Sequence, residues 1–316
     1  MMRRRPLIAL GACALAAPRL VPAFVDPVDS PARRSLRPEL APFLAAARAG
    51  DRVVAAGLRG RIVVSDPGGH AWTQARVPVE VDLTAVSFPT SVRGWAVGHS
   101  GVVLASDDGG TTWRRQLAQR GAQPLLDVQF TDALAGFVVG AFNTIFRTGD
   151  AGATWQSWKD RTSNPQELHL NAVRGRAGRV FLAGEQGMVW RLRDGEARFK
   201  AVPTPYQGTL FGLVVTAGVL LAFGMRGSAW RSPDEGDSWE AVRLQTVAGI
   251  TAGTALGDGR IVLADQGGGL HVSSDAGRRF ETTRPPPPTP WAAVAEGKAG
   301  VLVLAGAGGV RTIASS

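Results

Sequence analysis

The sequence predicts an all-β fold, a seven-bladed β-propeller of four-stranded antiparallel blades, and three observations predict it. An aromatic residue recurs at Trp72, Trp113, Trp155, Phe199, Trp239 and Phe280, in steps of 41, 42, 44, 40 and 41 residues. A short Gly-x-x-Gly turn ends 12 residues before each marker. Each turn lies between runs rich in Val, Leu and Ala, the pattern of short buried strands joined as a hairpin. Four such strands in a unit of about 40 residues are the signature of a propeller blade.

The turns run in register along the chain: Gly57 to Gly60, Gly98 to Gly101, Gly184 to Gly187, Gly224 to Gly227 and Gly306 to Gly309. Two variants, Gly140 to Asn143 and Asp265 to Gly268, complete seven. Asn and Asp are the non-glycine residues that best tolerate positive φ. Upstream of most turns lies a first strand, LTAVSF, LLDVQF, LNAVRG, LFGLVV, ITAGTA or WAAVAE. Downstream of each marker lies a fourth, WTQARV, WRRQLA, WQSWKD, FKAVPT, WEAVRL or FETTRP. The seventh marker would fall near position 321, beyond Ser316. An open outer edge invites aggregation. The last blade is therefore expected to be completed by an N-terminal strand from residues 26–39.

The N-terminus reads MMRRRPLIALGACALAAPRLVPAF. Three arginines, an apolar run and the small-x-small string Val21, Pro22, Ala23 read as a secretory signal. Residues 1–23 are thus assigned to the signal, 24–40 to the N-terminal segment with its closing strand, and 41–316 to the propeller. A periplasmic or otherwise exported, soluble protein is expected, with no integral membrane span after signal removal. Cys13, the only cysteine, lies in a Leu-Gly-Ala-Cys string that also fits a lipid anchor, the lesser alternative. Net charge is +9, and without the four arginines of that segment about +5. No basic run interleaved with aromatics occurs, so nucleic acid is not an expected partner.

The markers at Trp113, Trp155 and Trp239 end the strings SDDGGTTW, TGDAGATW and SPDEGDSW. Their shared positions are Ser106, Asp108, Gly110 and Trp113; Thr148, Asp150, Gly152 and Trp155; and Ser232, Asp234, Gly236 and Trp239. Degraded copies stand at 65–72, 192–199 and 273–280. The Asp can accept bonds from turn N–H groups, Gly supplies positive φ, and Trp buries a large apolar surface between sheets. The string resembles the Asp-box, or bacterial neuraminidase repeat. That resemblance implies a peripheral turn between third and fourth strands, away from any active centre. The longer segments LTAVSFPTSVRGWAVGHSGVVLASDDGGTTW, LLDVQFTDALAGFVVGAFNTIFRTGDAGATW and LLAFGMRGSAWRSPDEGDSW are similar to the photosystem II stability/assembly-factor family and its relatives in non-photosynthetic bacteria. The similarity spans about residues 50–313. It implies a seven-bladed propeller outside the cytoplasm that acts, without catalysis or cofactor, as a scaffold or assembly factor for an envelope or membrane protein complex.

The alternative is a secreted carbohydrate-active or glycan-binding propeller, sialidase-like or a two-carboxylate glycosidase. Sialidases carry Arg-Ile-Pro, whereas here Arg61-Ile62 and Arg260-Ile261 are each followed by Val. Tyr206 is the only tyrosine, and no carboxylate partner for it is identifiable. The four histidines are scattered, so no metal site is expected. Outside the marker slot stand Trp95, Trp158, Trp190, Trp230 and Trp291, three of them within strands, which favours protein over sugar recognition. Recognition is assigned to the loop face holding the Gly-x-x-Gly turns, with Arg59 and Arg226 as contact residues. His99, Glu185 and Tyr206 are secondary candidates, and Phe142 and Met225 are exposed apolar tips. A monomer is expected.

Overall fold

The computed structural model describes residues 25–314 apart from Arg120 and Ala299. Residues 1–23, and with them Cys13, lie outside the described residues. Short runs of Val, Leu and Ala between glycine turns form strands, and the strands group as seven antiparallel sheets. Blade 1 contains β1 (Phe43–Ala49), β2 (Arg52–Gly57), β3 (Ile62–Ser65) and β4 (Trp72–Gln74); blade 2 contains β5 (Leu83–Ser87), β6 (Gly94–Gly98), β7 (Val103–Ser106) and β8 (Arg114–Leu117). Blade 3 is β9 (Leu125–Phe130), β10 (Gly136–Gly140), β11 (Ile145–Thr148) and β12 (Gln156–Ser157); blade 4 is β13 (Leu170–Arg176), β14 (Arg179–Gly184), β15 (Val189–Arg193) and β16 (Lys200–Ala201). Blade 5 is β17 (Leu210–Val215), β18 (Leu220–Gly224), β19 (Ala229–Ser232) and β20 (Glu240–Val242); blade 6 is β21 (Ile250–Ala255), β22 (Ile261–Asp265), β23 (Leu270–Ser273) and β24 (Glu281–Thr283). Blade 7 is β25 (Trp291–Glu296), β26 (Val301–Gly306) and β27 (Gly309–Ala314). The first strands of successive blades pack side by side around a ring, and β25 packs against β1 to close it.

The core lies in the seams between blades. Second strands are buried on both faces, as in β6, β10, β18 and β22, which explains their unbroken apolar runs. Marker aromatics fill the seams further out. Trp113 meets Phe88 edge-on at 5.9 Å, Trp155 meets Phe130 at 6.0 Å, and Phe199 meets Phe137 at 5.8 Å. The fourth strands are shorter than the sequence pattern suggested, two to four residues, because beyond the marker each chain leaves the sheet for the next blade.

Every first strand carries a β-bulge near its start, and the extra residues are Leu44, Thr84, Leu126, Asn171, Phe211, Thr251 and Ala292. All seven line the central channel. The three polar ones fall on blades 2, 4 and 6, and each reaches the next blade. Thr84 Oγ1 donates to the Leu125 carbonyl at 2.7 Å, Asn171 Nδ2 to Leu210 at 2.9 Å, and Thr251 Oγ1 to Trp291 at 2.5 Å.

The first glycine of each turn is needed for close approach, not for positive φ. Gly98 is extended, and a Cβ there would lie 2.0 Å from the Asp82 carbonyl oxygen. Positive φ falls on the third and fourth turn positions, including Asn143 at 56°. Asp265, expected to use Asp's tolerance of positive φ, is absent from the left-handed residues. It acts through a fully buried carboxylate instead.

Residues 26–39 form no strand, and blade 7 has three strands among the described residues. Most of the segment lies over blades 1 and 2, and its end at Glu39 abuts Gly309 at the start of β27 in blade 7 without pairing as a strand. Ala32 N–H donates to the Val77 carbonyl (3.0 Å), Glu80 N–H to Pro27 (2.7 Å), and Gln74 Nε2 to Arg33 (2.8 Å). Val28 is buried with the core of blades 1 and 2. At the junction of blades 7 and 1, Phe43, Ala55 and Val63 pack on Ala293 and Ala305, Arg48 pairs with Glu296 at 3.5 Å, and Thr312 donates to the Gly69 carbonyl.

Candidate partner-binding face

The ring has two unlike faces. One carries the first-to-second and third-to-fourth strand turns, which touch each other: Gly109 N–H donates to Val92 at 2.8 Å and Ala151 N–H to Leu134 at 2.9 Å. The three intact strings close their turns by one set of bonds. In the first, the Ser106 hydroxyl accepts from Gly110 N–H and donates to Asp108 Oδ1, both at 2.9 Å. Asp108 Oδ1 also accepts Thr112 N–H at 2.9 Å, and Oδ2 accepts the Thr112 hydroxyl at 2.6 Å. Thr148, Asp150 and Thr154 repeat this, as do Ser232, Asp234 and Ser238. The copy at 273–280 keeps the Ser273 and Asp275 bonds. In the copy at 65–72, Asp66, one position early, accepts His70 N–H at 2.8 Å.

These bonds fix the carboxylates as anions. The Thr154 hydroxyl and N–H, with the Thr148 hydroxyl, hold Asp150 at about 2. Ser238 holds Asp234 below the ordinary carboxylate range. Burial would raise Asp108, but Thr112 and Ser106 bring it below that range. A carboxylate saturated with donors is a turn lock and a poor proton donor near neutral pH.

The opposite face carries the second-to-third strand turns and the connections between blades. Gly60 N–H donates to the Val81 carbonyl at 2.6 Å and Gly187 N–H to Gly208 at 2.7 Å, so each turn leans on the following connection. At the third turn position the backbone is left-handed although the residue is not glycine: Arg59 (φ 55°), Ser100 (56°), Phe142 (53°), Gln186 (56°) and Arg226 (56°). Each such residue costs about 1 kcal/mol relative to a relaxed backbone.

The predicted contact residues all lie on this face, in two groups. Arg59 and His99 flank Asp82, whose carboxylate accepts Arg59 N–H at 2.8 Å and whose carbonyl accepts His99 N–H at 2.9 Å. Glu185, Tyr206 and Arg226 sit on blades 4 and 5, so ring order separates Arg59 from Arg226. Arg59, His99 and Arg226 are exposed, while Glu185 and Tyr206 are half-buried. Tyr206 has an anchoring role that the sequence did not show: its hydroxyl donates to the Met225 carbonyl at 3.0 Å. Sequence reasoning also missed His169. Its Nδ1 accepts Phe142 N–H at 3.1 Å and its ring meets Phe142 edge-on at 4.6 Å. The accepted bond places the ring proton on Nε2, so the 3.7 Å approach of Nδ1 to Glu185 is not an ion pair. Glu185 instead accepts His169 N–H at 2.8 Å.

A central cavity of about 480 Å³ runs between the first strands. Its carboxylates are engaged. Asp127 pairs with Arg174 and accepts Val128 and Val173 N–H at 2.9 and 2.8 Å, while burial pushes its carboxyl up. Glu296 pairs with Arg48 and accepts Gly257 N–H at 3.0 Å. Trp95, Trp158, Trp190 and Trp291 are buried, and the half-buried Trp230 donates its indole N–H to Ser228 at 3.0 Å. No group of three or more metal-ligating side chains occurs among the described residues. No helix of the described residues is long and apolar enough to cross a membrane.

Comparison with known proteins gives a consistent picture. A structure described as YCF48 bound to D1 peptide superposes with a TM-score of 0.72 at 17% identity, covering 88% of this chain and 95% of that one. YCF48 from Cyanidioschyzon merolae gives 0.67 at 16%, covering 87% and 96%. The β-propeller domain of Myceliophteria thermophila Cps50 (Swd1) gives 0.69 at 10%, covering 87% and 97%. At these identities the likeness is one of fold. No curated protein matches the chain. The family model of the photosynthesis system II assembly factor YCF48 matches residues 116–285. Matched by that model over more than half of its length, the chain belongs to the YCF48 assembly-factor family.

Proposed function

We propose that this chain is an exported, non-catalytic scaffold that binds a protein of an envelope or membrane complex through its turn-and-connection face and aids the assembly of that complex. Family membership supports an assembly-factor, protein-binding propeller, and a structurally similar YCF48 has been solved with a D1 peptide. The observation that carries the reading is the contrast between faces. On one, the string carboxylates close their own turns, and the left-handed non-glycine positions hold Ala151, Ala177, Ala276 and Glu235, the last paired with Arg193; on the other, they include the exposed Arg59, Phe142, Gln186 and Arg226. Arg59 and Arg226 are the leading contacts, with His99 beside the first and Glu185 and Tyr206 shaping the surface around the second. The strings act as structural Asp-boxes. The protein works as a monomer, without cofactor or metal, after residues 1–23 direct export.

Crosslinking and pull-down of the mature protein from its native envelope tests this. Recovery of one defined membrane complex, weakened by Arg59→Glu with Arg226→Glu, is expected. Recovery of none, together with hydrolysis of a glycoside panel, overturns the reading. N-terminal sequencing of the exported protein checks cleavage after Ala23.

A further inference from the structure

The sector of the turn face between blades 3 and 6 carries three exposed apolar side chains linked by one chain of contacts. Phe142 is 49% exposed, Met225 45% and Val247 90%. They are joined through the structure. Phe142 rests on His169, whose N–H donates to Glu185, and the turn of Glu185 abuts the connection carrying Tyr206. Tyr206 is bonded to Met225, and the Met225 turn abuts Thr246, next to Val247. Arg226, at the outward tip beside Met225, makes no ion pair among the described residues, while of the nearby carboxylates Glu185 accepts His169 N–H and Glu167 pairs with Lys159.

Two of these side chains are held at a cost the fold does not require. Phe142 and Arg226 stand at φ 53° and 56°, where glycine would be unstrained. Phe142 is half exposed although its ring edge meets His169, and Arg226 makes no ion pair, so bulky residues kept in that region call for a role outside the fold. Exposed apolar side chains beside an uncompensated guanidinium complement a segment that is apolar and acidic.

We propose that this sector docks an extended, acidic segment of a partner protein, its apolar side chains lying against Phe142, Tyr206, Met225 and Val247 and a carboxylate on Arg226. The proposal rests on the protein-binding reading above and narrows it to one sector and one chemistry.

A short synthetic peptide alternating leucine and glutamate is the probe, titrated to millimolar concentration against the isotope-labelled full chain. Amide shifts concentrated at 142, 169, 206, 225, 226 and 247 are expected, with affinity falling roughly tenfold or more when lysine replaces glutamate. Phe142→Gly and Arg226→Gly should each leave the melting temperature unchanged or raised, since the left-handed strain is relieved, while weakening the peptide roughly tenfold. Ser100→Gly, at the same turn position on blade 2, should leave binding unchanged. Shifts elsewhere or none, equal binding of the lysine peptide, unaltered binding by the glycine variants, or a dimer in sedimentation that buries this face would each overturn the proposal. If the glycine variants still recover the defined envelope complex, this sector fails and the broader reading stands. If even the unmodified protein recovers none, the broader reading fails first.

Discussion

The two faces are built from turns of similar length and opposite economy. On the string face each carboxylate is spent inward: Asp108, Asp150 and Asp234 each accept an N–H and two hydroxyls from their own turn. Left-handed non-glycine positions occur on both faces, but on the string face they are alanines and Glu235, whereas the third turn position on the other face holds Arg, Ser, Phe or Gln and differs from blade to blade. Repetition therefore marks what the ring needs to stand, and divergence at an equivalent position marks what distinguishes this protein from a bare ring. One turn crosses the divide. In blade 6 Asp265 accepts Gly267 N–H at 2.8 Å and Gly269 N–H at 2.7 Å, the string device moved to the opposite face. It also bonds His271 Nε2 at 3.1 Å, and His271 Nδ1 meets the Thr282 hydroxyl at 2.8 Å.

That turn offers the hardest break. Asp265→Ala would leave a fully buried His271 and two turn N–H groups without their acceptor, and a loss of about 3 kcal/mol is expected in urea unfolding. A loss below ~1 kcal/mol would show that the inward device is dispensable on this face. The same site sets a pH dependence. Burial holds the His271 imidazole below its ordinary value, so the unfolded chain takes up its proton first. Stability should be level above about pH 6.5 and decline as pH falls below it. It should fall again below about pH 4, as carboxylates held low by their donors, Asp150 and Asp234 among them, are protonated. Urea midpoints against pH, with His271→Gln flattening the upper limb, check the sign.

Smaller effects sharpen the contrast. Asp108→Ala, at an exposed turn, should cost about 1 kcal/mol and leave partner capture intact. Arg59→Glu with Arg226→Glu should move stability by less than about 0.5 kcal/mol, read as a melting curve, yet weaken capture. Were the Asp108 variant to lose the partner while the double arginine variant kept it, the assignment of faces would be reversed.

Periodic features were legible because the ring repeats them: the marker aromatic, the turn 12 residues before it, and the strands between. What was not legible depends on single, unrepeated contacts. Residues 26–39 lie mostly on blades 1 and 2 through Gln74 and Val77, which no spacing announces. Tyr206 reads as a bare loop phenol until the Met225 carbonyl is seen 3.0 Å away. His169 is one residue ahead of a first strand, and only the fold puts Phe142 against it. The grouping of Arg59 with His99, and of Arg226 with Tyr206, follows from ring order, which the chain order alone does not convert into distance.

The bonds of Thr84, Asn171 and Thr251 carry a further consequence. Blades that donate alternate with blades that accept, 2 to 3, 4 to 5 and 6 to 7. Two kinds cannot alternate around an odd ring without one place where like meets like. Here that place is blade 7 against blade 1, where the bulge residues are Ala292 and Leu44 and neither side chain has a hydrogen-bond donor. The propeller is in this sense a chain of three couples and a bachelor, blade 1, whose seam with blade 7 is held by other means, Arg48 on Glu296 and Thr312 on the Gly69 carbonyl.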